Sequence, residues 1–190
     1  MTLEESRNLP TAREVDVLIV GGGPAGVGAG LAAARMGADA LIVEQFNCLG
    51  GVATAGGHGH ISKYDEEGTG RRIVGGVADE IASRVVSGGF GVRNSHGIMF
   101  EVEGMKLLLE AMAEEAGLGL LYHTFFCDTV VDDGAAVGAV IQNKDGRQVI
   151  RARRIVDCTG DGDVAFKAGC PYEVGRPSDG RCQPVTLMFT

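Results

Sequence analysis

Residues Val15–Val20 read VDVLIV, and the next six are Gly21-Gly22-Gly23-Pro24-Ala25-Gly26. A short, β-branched, nearly continuous apolar run is what a parallel strand buried on both faces requires. From Pro24 to Met36 the chain is Ala-rich and helix-favouring, and Gly37 stops it. Asp39–Val43 (DALIV) is a second buried strand that ends at Glu44. Strand, glycine turn, helix and strand within about thirty residues make one βαβ unit. In this G-x-G-x-x-G pattern Gly21 permits the tight turn and Gly23 lets backbone approach a pyrophosphate. Gly26 lets helix and strand pack closely, while Pro24 and Ala25 open a helix whose free N–H groups and positive dipole end favour phosphate. Glu44, eighteen positions beyond Gly26, stands where a carboxylate accepts hydrogen bonds from ribose hydroxyls. It would repel a 2′-phosphate, so NADP is disfavoured. The plainer reading, a glycine-rich turn near a surface glutamate, does not account for the strand before the motif and the acid after it.

The chain has 190 residues, enough for one sizeable domain with a real core but short for a two-domain enzyme. A content of 45% hydrophobic and 22% charged residues is ordinary for a globular domain, which excludes disorder. The longest apolar runs are far too short to cross a bilayer. Met1–Glu14 is polar and acidic where a signal peptide needs a basic start and an apolar run, so a cytoplasmic location is expected. The net charge of −8 argues against nucleic acid or an anionic membrane as the main partner. Cys48, Cys127, Cys158, Cys170 and Cys182 lie far apart with no C-x-x-C pair. Reduced thiols are expected, rather than a disulfide framework or a metal site.

Residues 1–14 read as a polar lead-in, and 15–190 as one domain with a helical insertion over about 60–117. Glycine is used about twice as often as average, and a second cluster, Leu49–Gly59, reads as irregular loop or helix start. Lys63–Arg72 (KYDEEGTGRR) is charged and reads as exposed. Val77–Val86 can form a helix with Ile81 and Val85 on one face. Glu103–Ala116 is the clearest amphipathic helix, with Met105, Leu108, Leu109, Met112, Ala113 and Ala116 at three- and four-residue steps before Gly117. Leu118–Asp157 is strand-like, with turn signals at Asp132-Asp133-Gly134 and Lys144-Asp145-Gly146. It reads as a small antiparallel meander returning to a last buried strand, Ile155–Cys158. A short helix over Val164–Gly169 and a strand-like run, Gln183–Thr190, complete the pattern.

The stretch DVLIVGGGPAGVGAGLAAARMGADALIVEQ, followed by LGGVATAG, resembles the glutathione-reductase-type FAD domain. It is most similar to the FAD-dependent oxidoreductases grouped with fumarate-reductase-like flavoproteins. The first motif alone does not separate FAD from NAD; the resemblance implies FAD. It also implies a three-layer, Rossmann-like α/β domain with a mostly parallel sheet, helices on one face and a β-meander on the other. Gly50, Gly51, Ala53 and Thr54 match the family's Gly-Gly turn near the pyrophosphate and flavin, and Gln45 joins Glu44 in the nucleotide-binding set. Asp157-Cys158-Thr159-Gly160-Asp161-Gly162-Asp163 is similar to the family's D-A-T-G-D-G-D stretch. That similarity implies that Thr159, Gly160 and Asp161 close over the nucleotide. One residue of 124–130 is expected to bind adenine through its backbone; Phe126 or Cys127 fits, and the register stays open.

Two absences narrow the chemistry. The region after Glu44 holds a lone Cys48 where disulfide reductases of this fold carry C-x4-C, and there is no second G-x-G-x-x-G for a nicotinamide domain. Electrons are then expected to pass directly between flavin and a small organic substrate or partner, as hydride or singly. His58 and His60, in GGHGHIS, are the candidates for moving a proton, polarising the flavin or linking to it covalently. The plainer reading makes them loop histidines. His96 in a loop and His123 in a strand are poorer candidates. Arg71 and Arg72 could meet an anionic substrate but read as solvated surface, and Asp161 and Asp163 read as holders of turn and cofactor. One rival is an NAD-linked dehydrogenase, opposed by the TGDGD and LGG segments. Another is a non-catalytic half of a split flavoprotein assembly. The proteins resembled are considerably longer and return a C-terminal stretch to the flavin. The domain is therefore expected to be incomplete, with a further portion or a partner chain supplying the rest; an oligomer is compatible with this.

Overall fold

A computed structural model describes residues 8–62, 65–66 and 69–188. Most of the polar lead-in, Lys63, Tyr64, Glu67 and Gly68 of the charged stretch, and Phe189 and Thr190 of the final run lie outside the described residues.

The VDVLIV run lies in strand β1, Thr11–Val20, at the middle of a six-stranded sheet. On one side β2 (Ala40–Val43) runs parallel to it, Val17 opposite Ala40 and Val20 opposite Val43. Outside β2 lies β6 (Gly119–Leu121), also parallel. On the other side β9 (Gly146–Asp157) runs parallel to β1, with Val20 opposite Asp157. Antiparallel β8 (Ala135–Asn143) and β7 (Phe125–Asp132) continue the sheet, giving the order β6-β2-β1-β9-β8-β7. This register brings the ends of β1, β2 and β9 level, so Gly21, Glu44 and Cys158 leave the sheet at one edge.

Successive residues of a strand face opposite sides, and here both sides are covered. Ile19 and Ile42 join a core with Val27 and Leu31 of α1 (Pro24–Arg35), Ala82 and Val85 of α2 (Gly76–Ser87), and Leu109 and Met112 of α3 (Val102–Ala116). Leu18, Val20, Leu41 and Val43 join a second core with Ala139, Ile141 and Ile150 of the meander and Val164 of α4 (Asp163–Lys167). Helices, parallel sheet and meander are thus the three layers expected. Two of the glycines of α1, Gly26 and Gly30, serve this packing. A Cβ on Gly26 would lie 1.9 Å from the Gly21 carbonyl oxygen, and one on Gly30 2.9 Å from Ile42 Cδ1.

Several expectations need correction. β1 starts at Thr11, inside the supposed lead-in; its first residues pair only with β9 and lie exposed, so they have no reason to be apolar. The last strand does not begin at Ile155, because β9 is one twelve-residue strand that pairs with β8 over Gly146–Arg151 and with β1 over Val149–Asp157. Gly119–Leu121 belongs to the parallel part of the sheet, not the meander. His123 sits between β6 and β7 with φ 50°, not in a strand. The insertion is not only helical, since β3 (His60–Ser62), β4 (Gly91–Asn94) and β5 (Gly97–Phe100) form a small antiparallel sheet beside α2 and α3. Residues 183–188 are not a strand: no described edge pairs with them, and Val185 is fully exposed. Among the described residues no helix is long and apolar enough to cross a membrane.

Candidate cofactor site

Three glycine-bearing turns meet at the edge where β1, β2 and β9 end. Gly21 has φ +97°, and a Cβ there would lie 2.5 Å from the Cys158 carbonyl oxygen, so the first turn touches the third. The Cys158 amide donates to the Val20 carbonyl at 2.9 Å, and the Gly21 amide to the Val43 carbonyl at 2.9 Å. The second turn is equally close: the Gly50 amide donates to the Gly22 carbonyl at 2.8 Å, and a Cβ on Gly51 would lie 2.9 Å from Gly23 Cα. Gly51–Ala53 then makes a single 3-10 turn.

Gly23 differs from its neighbours. It caps α1 in an extended conformation, and a Cβ built on it meets nothing within 4 Å. Gly160 is open in the same way. Pro24 follows as the first helical residue, and the amides of Ala25 and Gly26 in the first turn have no intrahelical acceptor. The result is a concave surface of bare backbone at the positive end of a helix dipole.

Glu44 is buried at 5% exposure, and its carboxylate is fixed by two amides: Gly22 donates to Oε2 at 2.6 Å and Phe46 to Oε1 at 2.8 Å. The third turn is held by Asp157. Its Oδ1 accepts from the Thr159 amide at 3.1 Å and the Thr159 hydroxyl at 2.7 Å, and its Oδ2 accepts from the Ala165 amide at 2.9 Å. The Thr159 hydroxyl in turn accepts from the Asp163 amide at 2.8 Å. Sequence reasoning gave the turn-holding task to Asp161 and Asp163; Asp157 performs it. Burial, followed by the neighbouring Asp157 charge, raises the Cys158 thiol, which keeps it protonated and poorly nucleophilic.

These turns wall one cleft of about 740 Å³, within the range of small-molecule sites. Of the residues expected from sequence, Gly21, Gly23, Pro24, Ala25, Glu44, Gln45, Gly51, Phe126, Cys127, Thr159, Gly160 and Asp161 line it. Gly26, Gly50, Ala53 and Thr54 stand behind the lining: Gly26 packs helix on strand, and the Thr54 hydroxyl donates to the Leu49 carbonyl at 2.5 Å. His58 and His60 do not line it. Their rings meet edge to face at 6.1 Å, and His60 Nε2 lies 3.2 Å from the His96 carbonyl oxygen; His58 lies in the loop before β3, whereas His60 opens that strand. Asp163, read from sequence as a holder of the turn, lines it too, and Phe46, Val52, Thr124, Phe125 and Lys167 line it without having been singled out. Phe46 and Phe125 are apolar yet about half exposed, a signal that appears only once the fold is known.

The lining suits a dinucleotide: open glycine positions and unpaired helix amides for a pyrophosphate, and a fixed carboxylate for hydroxyls. Comparison with known proteins agrees. The family described as FAD dependent oxidoreductase matches residues 16–190. A thiamine thiazole synthase of Methanococcus aeolicus is 33% identical over 165 residues, covering 80% of this chain and 57% of the relative. Digeranylgeranylglycerophospholipid reductase 2 of Methanopyrus kandleri is 30% identical over 164 residues, covering 77% of this chain and 38% of the relative. The chain thus spans little more than half the length of the first of these and less of the second. The crystal structure of Thermovibrio ammonificans THI4 shares the fold with a TM-score of 0.58 at 24% identity, over 81% of this chain and 61% of that one. The chain belongs to the FAD-dependent oxidoreductase family, and FAD is its cofactor.

Proposed function

We propose that this chain holds the ADP half of FAD in the cleft at the ends of β1, β2 and β9, and that it serves the flavin-dependent oxidoreduction of a small organic substrate. The observation that carries this reading is the open position at Gly23, bare backbone facing the cleft at the first turn of α1. In this reading the pyrophosphate lies against Gly21, Gly23, Pro24 and Ala25 on one side and Gly51 and Gly160 on the other. An ionised carboxylate has about four acceptor positions. Two at Glu44 are filled by Gly22 and Phe46, which leaves the others for ribose hydroxyls beside Gln45. Adenine is then assigned to Cys127. The register of β7 on β8 skips it, Phe126 pairing with Ile141 and Asp128 with Val140, so Cys127 is a bulged residue on an edge strand with its backbone outside the ladder.

When bound, the flavin supplies the electron-transfer chemistry; the residues described here bind, orient and desolvate the nucleotide. Relatives named for making a thiazole and for reducing a lipid do not narrow the substrate. A second reading, non-catalytic alone and active only with a partner chain or further portion, is favoured by one observation. Among the described residues that line the cleft there is no histidine, and the buried carboxylate there, Glu44, is already engaged by backbone amides.

The first test is the visible spectrum of the purified chain with and without FAD, together with the nucleotide released on denaturation. FAD release, or FAD binding with a flavin absorbance band, supports the reading. Gly23→Val should abolish that binding while far-ultraviolet circular dichroism stays unchanged, because the added side chain enters the cleft rather than the core. Undiminished FAD affinity in Gly23→Val would remove the pyrophosphate from this place.

A further inference from the structure

We infer that Lys167 supplies the counter-charge for the phosphates of the nucleotide, an inference that rests on the cofactor position proposed above. The charged lining of the cleft is unbalanced. Glu44, Asp161 and Asp163 bring carboxylates to it, and Lys167 is the one cation among the described residues that line it. The whole chain carries −8. A pyrophosphate diester, with two negative charges, therefore approaches against an unfavourable field. The amides at the start of α1 answer it only partly, since they are neutral dipoles whose effect fades within the first turn.

Lys167 is built to answer the remainder. Its helix, α4, is fixed at several points. The Ala165 amide donates to Asp157 Oδ2 at 2.9 Å, the Val164 carbonyl accepts from the Thr129 hydroxyl at 2.9 Å, and the Val164 side chain lies in the second core. Lys167 itself, in the last turn, is exposed and makes no ion pair or hydrogen bond with a described residue. A flexible stem on a fixed helix, ending in an uncommitted ammonium at the cleft wall, is suited to meet a phosphate as a point charge. Asp157 thereby gains a second consequence: the hydrogen bonds that hold the third turn also hold the helix that carries the lysine.

Binding of ADP and of adenosine to the full chain, measured by calorimetry at low salt and again at about 0.5 M salt, separates charge from packing. Lys167→Gln should weaken ADP about threefold to fivefold at low salt, the range of a solvent-exposed charge pair. It should leave adenosine unchanged, and the ADP difference should shrink at high salt as the charges are screened. Lys167→Arg should restore ADP binding. Equal ADP affinity in Lys167→Gln overturns the inference, as does an equal loss for ADP and adenosine, which would mean contact with the base. If ADP binding is lost in Gly23→Val but unchanged in Lys167→Gln, the cofactor position stands and only the role of Lys167 falls. If wild type does not bind ADP, or Gly23→Val binds it as well as wild type does, the cofactor position falls and this inference with it.

Discussion

A side chain at Gly21 and a side chain at Gly23 would do damage for opposite reasons. Gly21 sits at φ +97°, where an L residue is strained, and its Cβ would press on the backbone carbonyl of Cys158, which has no freedom to move aside. At Gly23 the space is open and only a ligand would be obstructed. Gly21→Ala should therefore destabilise the fold itself, by about 2–4 kcal/mol from strain and displacement together. For a chain of this size that is a fall in Tm of roughly 5–15 °C, measurable by thermal denaturation without any ligand. Gly23→Val should show no comparable fall. A Gly21→Ala protein as stable as wild type would mean that the first and third turns are not in contact as described. The contrast matters because both glycines look equivalent in the motif, and only the atoms around each decide whether the requirement belongs to the fold or to the cofactor.

At the scale of elements, the three helices are tied by an ionic chain on their outer side. Arg35 of α1 bonds both oxygens of Glu80 on α2, at 2.6 and 2.9 Å, and Arg84 of α2 bonds both oxygens of Glu115 on α3, each at 2.6 Å, and reaches Glu80 at 3.5 Å. Hydrogen bonds from Arg35 hold the Glu80 carboxyl below its ordinary 4.5, and those from Arg84 do the same for Glu115. Carboxyls lowered in the folded state contribute stability that is complete above the unfolded value and disappears as pH falls through the folded one. Because the partners are partly solvated, Arg84→Gln should cost less than about 1 kcal/mol, a Tm change of no more than about 4 °C. That difference should hold from pH 8 to about pH 5, shrink below about pH 4.5, and diminish in high salt. A difference that persists at pH 3 would assign it to packing of the arginine stem instead. The helices that carry this chain were legible beforehand, since Met105, Leu108, Leu109 and Met112 repeat at helical spacing and are buried. The small sheet was not. β3, β4 and β5 have three or four residues each, and its exposed side carries Met99 and Val92, so no alternation of apolar and polar residues marked them. β9 was legible as two strands rather than one because Arg151, Arg153 and Arg154 interrupt it; the structure leaves those side chains exposed along a continuous ladder.

For the molecule as a whole, the cleft proposed for the nucleotide is lined from four stretches, 20–25, 43–52, 124–127 and 158–167, that span most of the chain. The glycine turns could be read from sequence because each is demanded by local backbone geometry. Phe46, Phe125 and Lys167 could not, since nothing local asks for them and only the sheet order brings them together. The same architecture sets how the molecule should respond to its cofactor. The ends of β1, β2 and β9 are held by ladder hydrogen bonds, but the turns beyond them are held by few bonds, among them Gly50 to Gly22, Gly22 to Glu44, Gly21 to Val43, Cys158 to Val20, and those of Asp157. Such loops open locally at less cost than the core. A ligand bound only when all the turns are in place adds RT ln(1 + [L]/Kd) to that cost, about 2.7 kcal/mol at a hundredfold excess over Kd. Saturating FAD should therefore slow hydrogen exchange of the Gly50, Thr159 and Asp163 amides together, by about a hundredfold where exchange proceeds through local opening of the site. Amides of β3, β4 and β5, which do not line the cleft, should not share that local protection. Protection confined to the first turn, with none at Thr159 or Asp163, would show that the third turn does not close on the nucleotide, and the cleft would have to be redrawn around β1 and β2 alone.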